Sequence, residues 1–157
     1  MNRINYHNIS PELVGKMMSL YQALEKCSID AEIRHLVDIR ASQINGCAFC
    51  LDMHVKQARI AGMRELKLHH LINWRESSLF DQKEQAALEW TEILTRLPKK
   101  GVSDDVYNRI ASVFSEKELS DLTFVIMSIN AWNRVNVAFQ TVPGTFDKSM
   151  GLDKISL

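Results

Sequence analysis

The stretch Asn45-Gly46-Cys47-Ala48-Phe49-Cys50-Leu51-Asp52-Met53-His54, continuing to Ala61-Gly62, decides how this chain folds. Its ends are helix punctuation: Asn45-Gly46 reads as a turn and Gly62 as a C-terminal stop, so one helix starts at Cys47 and ends near Ala61. At about 100° per residue, Cys47, Cys50 and His54 fall within roughly 60° of arc, with the imidazole between the two sulfurs. Residues three apart on a helix are near neighbours, so the thiols can close to a disulfide and reopen with little rearrangement. That is the geometry of a redox couple. Two buried small hydrophobes, or half of a metal site, would use the same letters.

Helix signals recur on both sides of this segment. Ser10-Pro11-Glu12 opens a helix to about Glu25, and Asp30 caps a second that runs to Ile44. A short helix spans about Glu65 to Ile72. Asp81 with Glu84, and Ser115 with Glu118, match the capping-box spacing and start helices that run to about Leu97 and Phe139. Ser103 caps a shorter one between them. Residues 73–80 and 98–102 read as loops, and no strand-like alternation persists. The expectation is an all-α bundle of six to seven helices forming one domain over residues 1–157.

Composition sets the outer limits. At 157 residues the chain can bury a real core. Nineteen basic and nineteen acidic residues cancel, leaving no field to hold nucleic acid or an anionic membrane surface. Met1-Asn2-Arg3-Ile4-Asn5-Tyr6-His7 lacks the apolar run of a signal peptide, and the most apolar segment, Leu122 to Phe139, is broken by Asn130, Asn133, Arg134 and Asn136. A cytoplasmic protein is expected. Three cysteines in a reducing compartment then argue for a catalytic or sensing pair plus one spare, Cys27, packed at a helix end.

Two helix faces bear on partners. On the Cys47 helix, Cys47, Leu51, His54, Ala58 and Ala61 form one apolar stripe, and Phe49, Met53 and Ile60 form a second. The second suits either a central helix or a contact with a neighbouring subunit. On the last helix the stripe Leu122, Val125, Ile126 and Ile129 continues through Asn133 and Asn136. These amides are expected where the helix emerges into water; a polar pocket or a subunit contact would also satisfy them.

Three effects can activate a thiol here: a position in the first helical turn for Cys47, the charge of a protonated His54, and S–H donation from one sulfur to the other. Helix-terminus logic favours Cys47 as the attacking sulfur. His54 stands four residues after Cys50, placed to take that proton instead.

The run Leu36-Val37-Asp38-Ile39-Arg40-Ala41-Ser42-Gln43-Ile44-Asn45-Gly46-Cys47-Ala48-Phe49-Cys50-Leu51-Asp52-Met53-His54 resembles the alkylhydroperoxidase D (AhpD) / carboxymuconolactone decarboxylase-like proteins. Asn73-Trp74-Arg75-Glu76, Ala86-Ala87-Leu88-Glu89-Trp90-Thr91-Glu92 and Ile129-Asn130-Ala131-Trp132-Asn133-Arg134 look like the same family's peroxidase-related branch. The resemblance covers about residues 10–145. It implies an AhpD-like helical fold that oligomerises and a thiol peroxidase that uses no cofactor or metal. In the implied cycle a hydroperoxide oxidises Cys50 to a sulfenic acid, Cys47 condenses with it, and an external dithiol reduces the disulfide. His54 matches the relay histidine. The family's relay glutamate, twelve residues before the first cysteine, is His35 here, a histidine that can also pass a proton near neutral pH. Phe49 replaces a further histidine. Lactone decarboxylation is not expected, because that branch generally lacks the cysteine pair.

Two other classes stay open. One is a metal-binding protein using Cys47, Cys50, His54 and one of His35, His69 or His70. The other is a non-enzymatic thiol sensor. The expected assembly is a homo-oligomer, a hexamer by preference or a trimer, built on the Phe49/Met53/Ile60 stripe.

Overall fold

The computed structural model describes residues 3–154, and no strand occurs among them. In chain order the helices are α1 (Tyr6–Ile9), α2 (Pro11–Leu24), α3 (Ala31–Asn45), α4 (Ala48–Ile60), α5 (Glu65–His70), α6 (Gln82–Arg96), α7 (Asp104–Ala111), α8 (Glu116–Phe139) and α9 (Asp147–Met150). The seven expected helices are all present. The expected loop after Ile72 is partly a 3₁₀ turn, Leu71–Glu76, which follows directly from α5. The four-residue helices α1 and α9 were not anticipated, because one turn is too short to leave a periodic signal. Residues 1–2 and 155–157 of the single-domain assignment lie outside the described residues.

Local chemistry explains the boundaries. Both capping boxes form: Asp81 accepts from the Glu84 amide while Glu84 returns to Asp81, and Ser115 pairs with Glu118 in the same way. Ser103 accepts from the Val106 amide at the start of α7. Asp30 occupies the cap position of α3 without a side-chain bond to it. Gly46 ends α3 with a left-handed backbone, φ 65°, so the chain turns at once into α4. A Cβ at Gly46 would meet nothing within 4 Å, so its requirement for glycine is a matter of backbone alone. Gly46→Ala should therefore cost about 1 kcal/mol, read as a lower urea midpoint at unchanged slope.

Helix α3 is the centre of the molecule. Every residue from Leu36 to Ser42 is buried, because α4, α6 and α8 pack on different sides of it. One cluster (Val37, Ala41, Trp90, Leu122, Ile126, Ile129) fills the space toward α6 and α8. A second (Leu36, Ile39, Leu71, Trp74, Leu88) lies toward α5 and the 3₁₀ turn. Cys27 is half-buried against the first cluster, the packing role expected of it.

Beside the second cluster Glu92 gathers a polar hub. It accepts from Arg40 Nε (2.8 Å) and Nη2 (2.6 Å), Trp74 Nε1 (3.0 Å), Arg75 Nη1 (2.9 Å) and Arg96 Nη1 (3.1 Å). One carboxylate thus joins α3, the 3₁₀ turn and α6.

The second stripe on α4 is used within the chain, which corrects the expectation of a subunit face. Phe49 is buried and packs edge-on to Phe146, with ring centroids 5.7 Å apart, and Met53 lies against the same core; only Ile60 is half exposed. The segment carrying Phe146 folds back over α4 because Lys56 binds both Asp52 (2.7 Å) and Asp147 (2.6 Å).

Candidate active site

The corner between α3 and α4 places the cysteines. Cys47 is the N-cap of α4 rather than its first helical residue, and its sulfur accepts from the Cys50 amide at 3.3 Å. The cap position aims its sulfur at the unpaired amides of the first turn, as the sequence reading required. Both thiols are unbridged and almost fully buried, at 2 % exposure for Cys47 and 1 % for Cys50.

The asparagines of α8 hold this corner, contrary to the expectation that they reach water. Asn133 is wholly buried and Asn136 nearly so. Asn45 Nδ2 donates to Asn130 Oδ1 (3.0 Å) and Asn133 Oδ1 (2.9 Å), and Asn133 Nδ2 donates to Ser42 Oγ (3.0 Å). Asn136 Nδ2 lies 3.6 Å from the Cys50 sulfur, while its Oδ1 accepts from the Tyr6 hydroxyl at 2.9 Å. The α8 asparagines form a buried hydrogen-bond network, and of the three Asn136 alone reaches the lining of a cavity. The spacing of Asn130, Asn133 and Asn136 at three-residue steps was the available signal; what they face was not in it.

A cavity of about 350 Å³ opens against Cys50. Its wall is mainly apolar, with Met18, Met53, Val125, Ile129, Trp132 and Phe146 among the contributors. Cys50, His35, His54 and Asp38 also line it, whereas Cys47 lies outside the lining. Three of the four expected site residues therefore share one chamber, with the fourth in contact with Cys50. His69 and His70 are exposed and elsewhere, and among the described residues no three of His, Cys, Asp or Glu converge as metal ligands.

His54 is fixed through one ring nitrogen. Its Nδ1 lies 2.8 Å from Gln57 Oε1 and 3.6 Å from Asp38 Oδ2. An amide oxygen only accepts, so Nδ1 carries the hydrogen and Nε2 keeps its lone pair. Burial pushes the His54 pKa down to about 4, so the ring is neutral at pH 7 and activates no thiol by charge. His35 is lowered too, by burial first and by the neighbouring His54 second. Asp38 moves the other way: burial raises it to about 8, only partly opposed by Arg34. The Asp38–His54 contact is thus between neutral partners at pH 7. Asp38 escaped the sequence reading because a single acid inside an apolar run resembles the solvated edge of a helix.

The two sulfurs share a proton. Donation from the Cys50 thiol lowers the Cys47 pKa, against the opposing effect of burial, with help from the Cys50 amide and Asn133. Cys50 is raised, first by making that donation and then by burial. The first ionisation belongs to the pair and leaves its charge on Cys47. Chemically, this site offers an acidic cap thiol, a second thiol facing an apolar chamber, and acid and base groups alongside.

The fold is AhpD-like, and its α3–α4 corner sets one thiol, Cys50, against the chamber, with the Cys47 thiol beside it at the helix cap. The model of the carboxymuconolactone decarboxylase family matches residues 11–92, and the chain belongs to that family. The uncharacterized protein YdfG of Bacillus subtilis (strain 168) is 40 % identical over 136 residues, covering 87 % of this chain and 92 % of YdfG. A crystal structure from Agrobacterium tumefaciens, described as a protein of unknown function and a candidate antioxidant-defence protein AhpD, superposes with a TM-score of 0.87 at 36 % identity. That match covers 92 % of this chain and 99 % of the other. An uncharacterized peroxidase-related protein from Silicibacter sp. TM1040 shares the fold at a TM-score of 0.77 and 21 % identity, over 87 % of this chain and 72 % of its own.

Proposed function

We propose that this protein is a thiol peroxidase that reduces hydroperoxides with the Cys47–Cys50 pair and is recycled by an external dithiol. The observation that carries the reading is Cys50 on the chamber wall with the Cys47 sulfur 3.3 Å from its amide. Cys50 passes its proton to Cys47 and attacks the distal oxygen of the hydroperoxide. The O–O bond breaks, Cys50 becomes a sulfenic acid, and the alkoxide takes a proton and leaves as the alcohol. Cys47 then attacks the Cys50 sulfur; the S–O bond breaks, and the hydroxide departs as water with the proton Cys47 had carried. A dithiol reduces the resulting disulfide by exchange. His54, anchored through Nδ1 and open at Nε2, returns protons between the pair and solvent, with His35 as the next acceptor.

The test is intact mass and turnover together. One equivalent of an organic hydroperoxide should lower the mass by two hydrogens, a dithiol should restore it, and peroxide should be consumed steadily while dithiol lasts. Disulfide formation without sustained consumption would instead make the protein a thiol sensor. A hydroperoxide and a dithiol reductant are the partners this reading requires, and a second copy of the chain is the further partner proposed. The hexamer, or a trimer, rests on the family resemblance, since the α4 stripe is spent inside the fold. Light scattering at micromolar concentration reads it, and a mass near the 18.0 kDa of one chain would remove it.

A further inference from the structure

The chamber wall includes a buried carboxyl, Asp38, with no task in the cycle above. Asp38 is buried in the middle of α3, and its ion-pair-range neighbour among the described residues is His54 Nδ1, 3.6 Å from Oδ2. A carboxyl in an apolar helix ordinarily finds strong donors, as Glu92 does one helix away with four side chains. Asp38 has none at that level; its side chain forms part of the cavity wall shared with Cys50. The charged and titratable groups around it are Arg34 and His35 on its own helix, Tyr21 on α2 and Glu25 at its C-terminal cap, and His54 on α4. Of these Arg34 is the cation, and its guanidinium donates to the Ile29 carbonyl.

We infer that Asp38 is the general acid of the site, giving its proton to the alkoxide released when Cys50 cleaves the O–O bond. The inference rests on the peroxidase reading and supplies the proton that reading leaves unassigned. The step balances: the Cys50 thiolate gains the distal OH, the O–O bond breaks, the leaving oxygen takes the Asp38 hydrogen, and Asp38 is left as a carboxylate that solvent reprotonates. Burial keeps Asp38 in its acid form at pH 7, whereas the same burial keeps His54 neutral, with its one ring hydrogen engaged by Gln57. Two groups whose environments drive their pKa values past each other take opposite roles, the carboxyl as acid and the imidazole as base.

Leaving-group dependence separates this role from a structural one. tert-Butyl hydroperoxide releases a strongly basic alkoxide that needs a proton as it departs. Peracetic acid releases acetate, which does not. Single-turnover oxidation of the reduced protein is measured at pH 6.5 with both oxidants, on wild type, Asp38→Asn, Asp38→Glu and Cys50→Ser. Asp38→Asn should be slowed about 100-fold with tert-butyl hydroperoxide and no more than about threefold with peracetic acid. Asp38→Glu, which keeps an acid at the site, should recover part of the first rate. The peracetic acid rate in the same sample also reports that the variant is folded. Equal losses with both oxidants would make Asp38 a structural residue and overturn the assignment, as would an unchanged rate with tert-butyl hydroperoxide. Wild type reacting with either oxidant no faster than Cys50→Ser would overturn the peroxidase reading itself, and the assignment with it.

Discussion

Replacing Cys50 by serine is expected to bring peroxide consumption to the uncatalysed rate, a fall of roughly 10³-fold or more of the kind seen when an enzyme loses its nucleophile. A hydroxyl at that place stays protonated beside Cys47 and is a poor nucleophile toward peroxide oxygen. Cys47→Ser should give a different result. Cys50 then lacks its proton acceptor, so the first oxidation slows, and no thiol stands behind it to close a disulfide. One equivalent of peroxide should be consumed and a sulfenic acid should persist at Cys50, where a dimedone-type trap and mass spectrometry can find it. Trapping at Cys47 in the Cys50→Ser protein would reverse the order of attack. The acidity of Cys47 argues for that reversal and the position of Cys50 on the chamber wall argues against it. We give access the greater weight, because a thiolate that meets no substrate does no chemistry.

The second large effect is on stability. Glu92→Ala should destabilise the fold by about 3–5 kcal/mol, since it strands the nearly buried Arg40 guanidinium without its counter-charge. At this chain length that corresponds to roughly 10 °C or more in thermal midpoint. The pH dependence follows from the same contacts. Burial alone would raise the Glu92 pKa, but hydrogen bonds from Trp74, Arg40 and Arg75 outweigh it and hold it at about 2, below the ordinary 4.5. A depressed acid stabilises the folded state above its unfolded value and loses that contribution as pH falls through the folded one. The stability gap between wild type and Glu92→Gln should therefore be full at neutral pH and shrink between pH 4.5 and 2. A constant gap across that window would mean that Glu92 is not held ionised by its partners.

Much of this architecture could be read locally. Both capping boxes, the Ser103 cap and the turn at Gly46 are matters of adjacent residues and backbone conformation, so their positions in the chain suffice to predict them. The same holds for the cysteine spacing, because a helical register turns sequence distance directly into angle. Cys50 and His54 were named from that register and His35 from the family resemblance, and the three line one cavity.

What register cannot supply is the other side of each contact. Whether Asn133 and Asn136 face water or a sulfur depends on α8 crossing the α3–α4 corner, a juxtaposition of residues more than 80 positions apart. Phe49 and Met53 suit a central helix or a subunit contact equally by register, and the segment held by Asp147 closes over them. The charge states of Asp38 and His54 were likewise invisible, since desolvation depends on the neighbours that surround a group in space. The sequence by itself determined the seven longer helices, their order and the spacing that sets the two thiols side by side, all of which are set by interactions within a few residues. Only the tertiary structure decided which sulfur meets the chamber and which buried group keeps a proton, because burial and long-range contact exist only once the helices have packed.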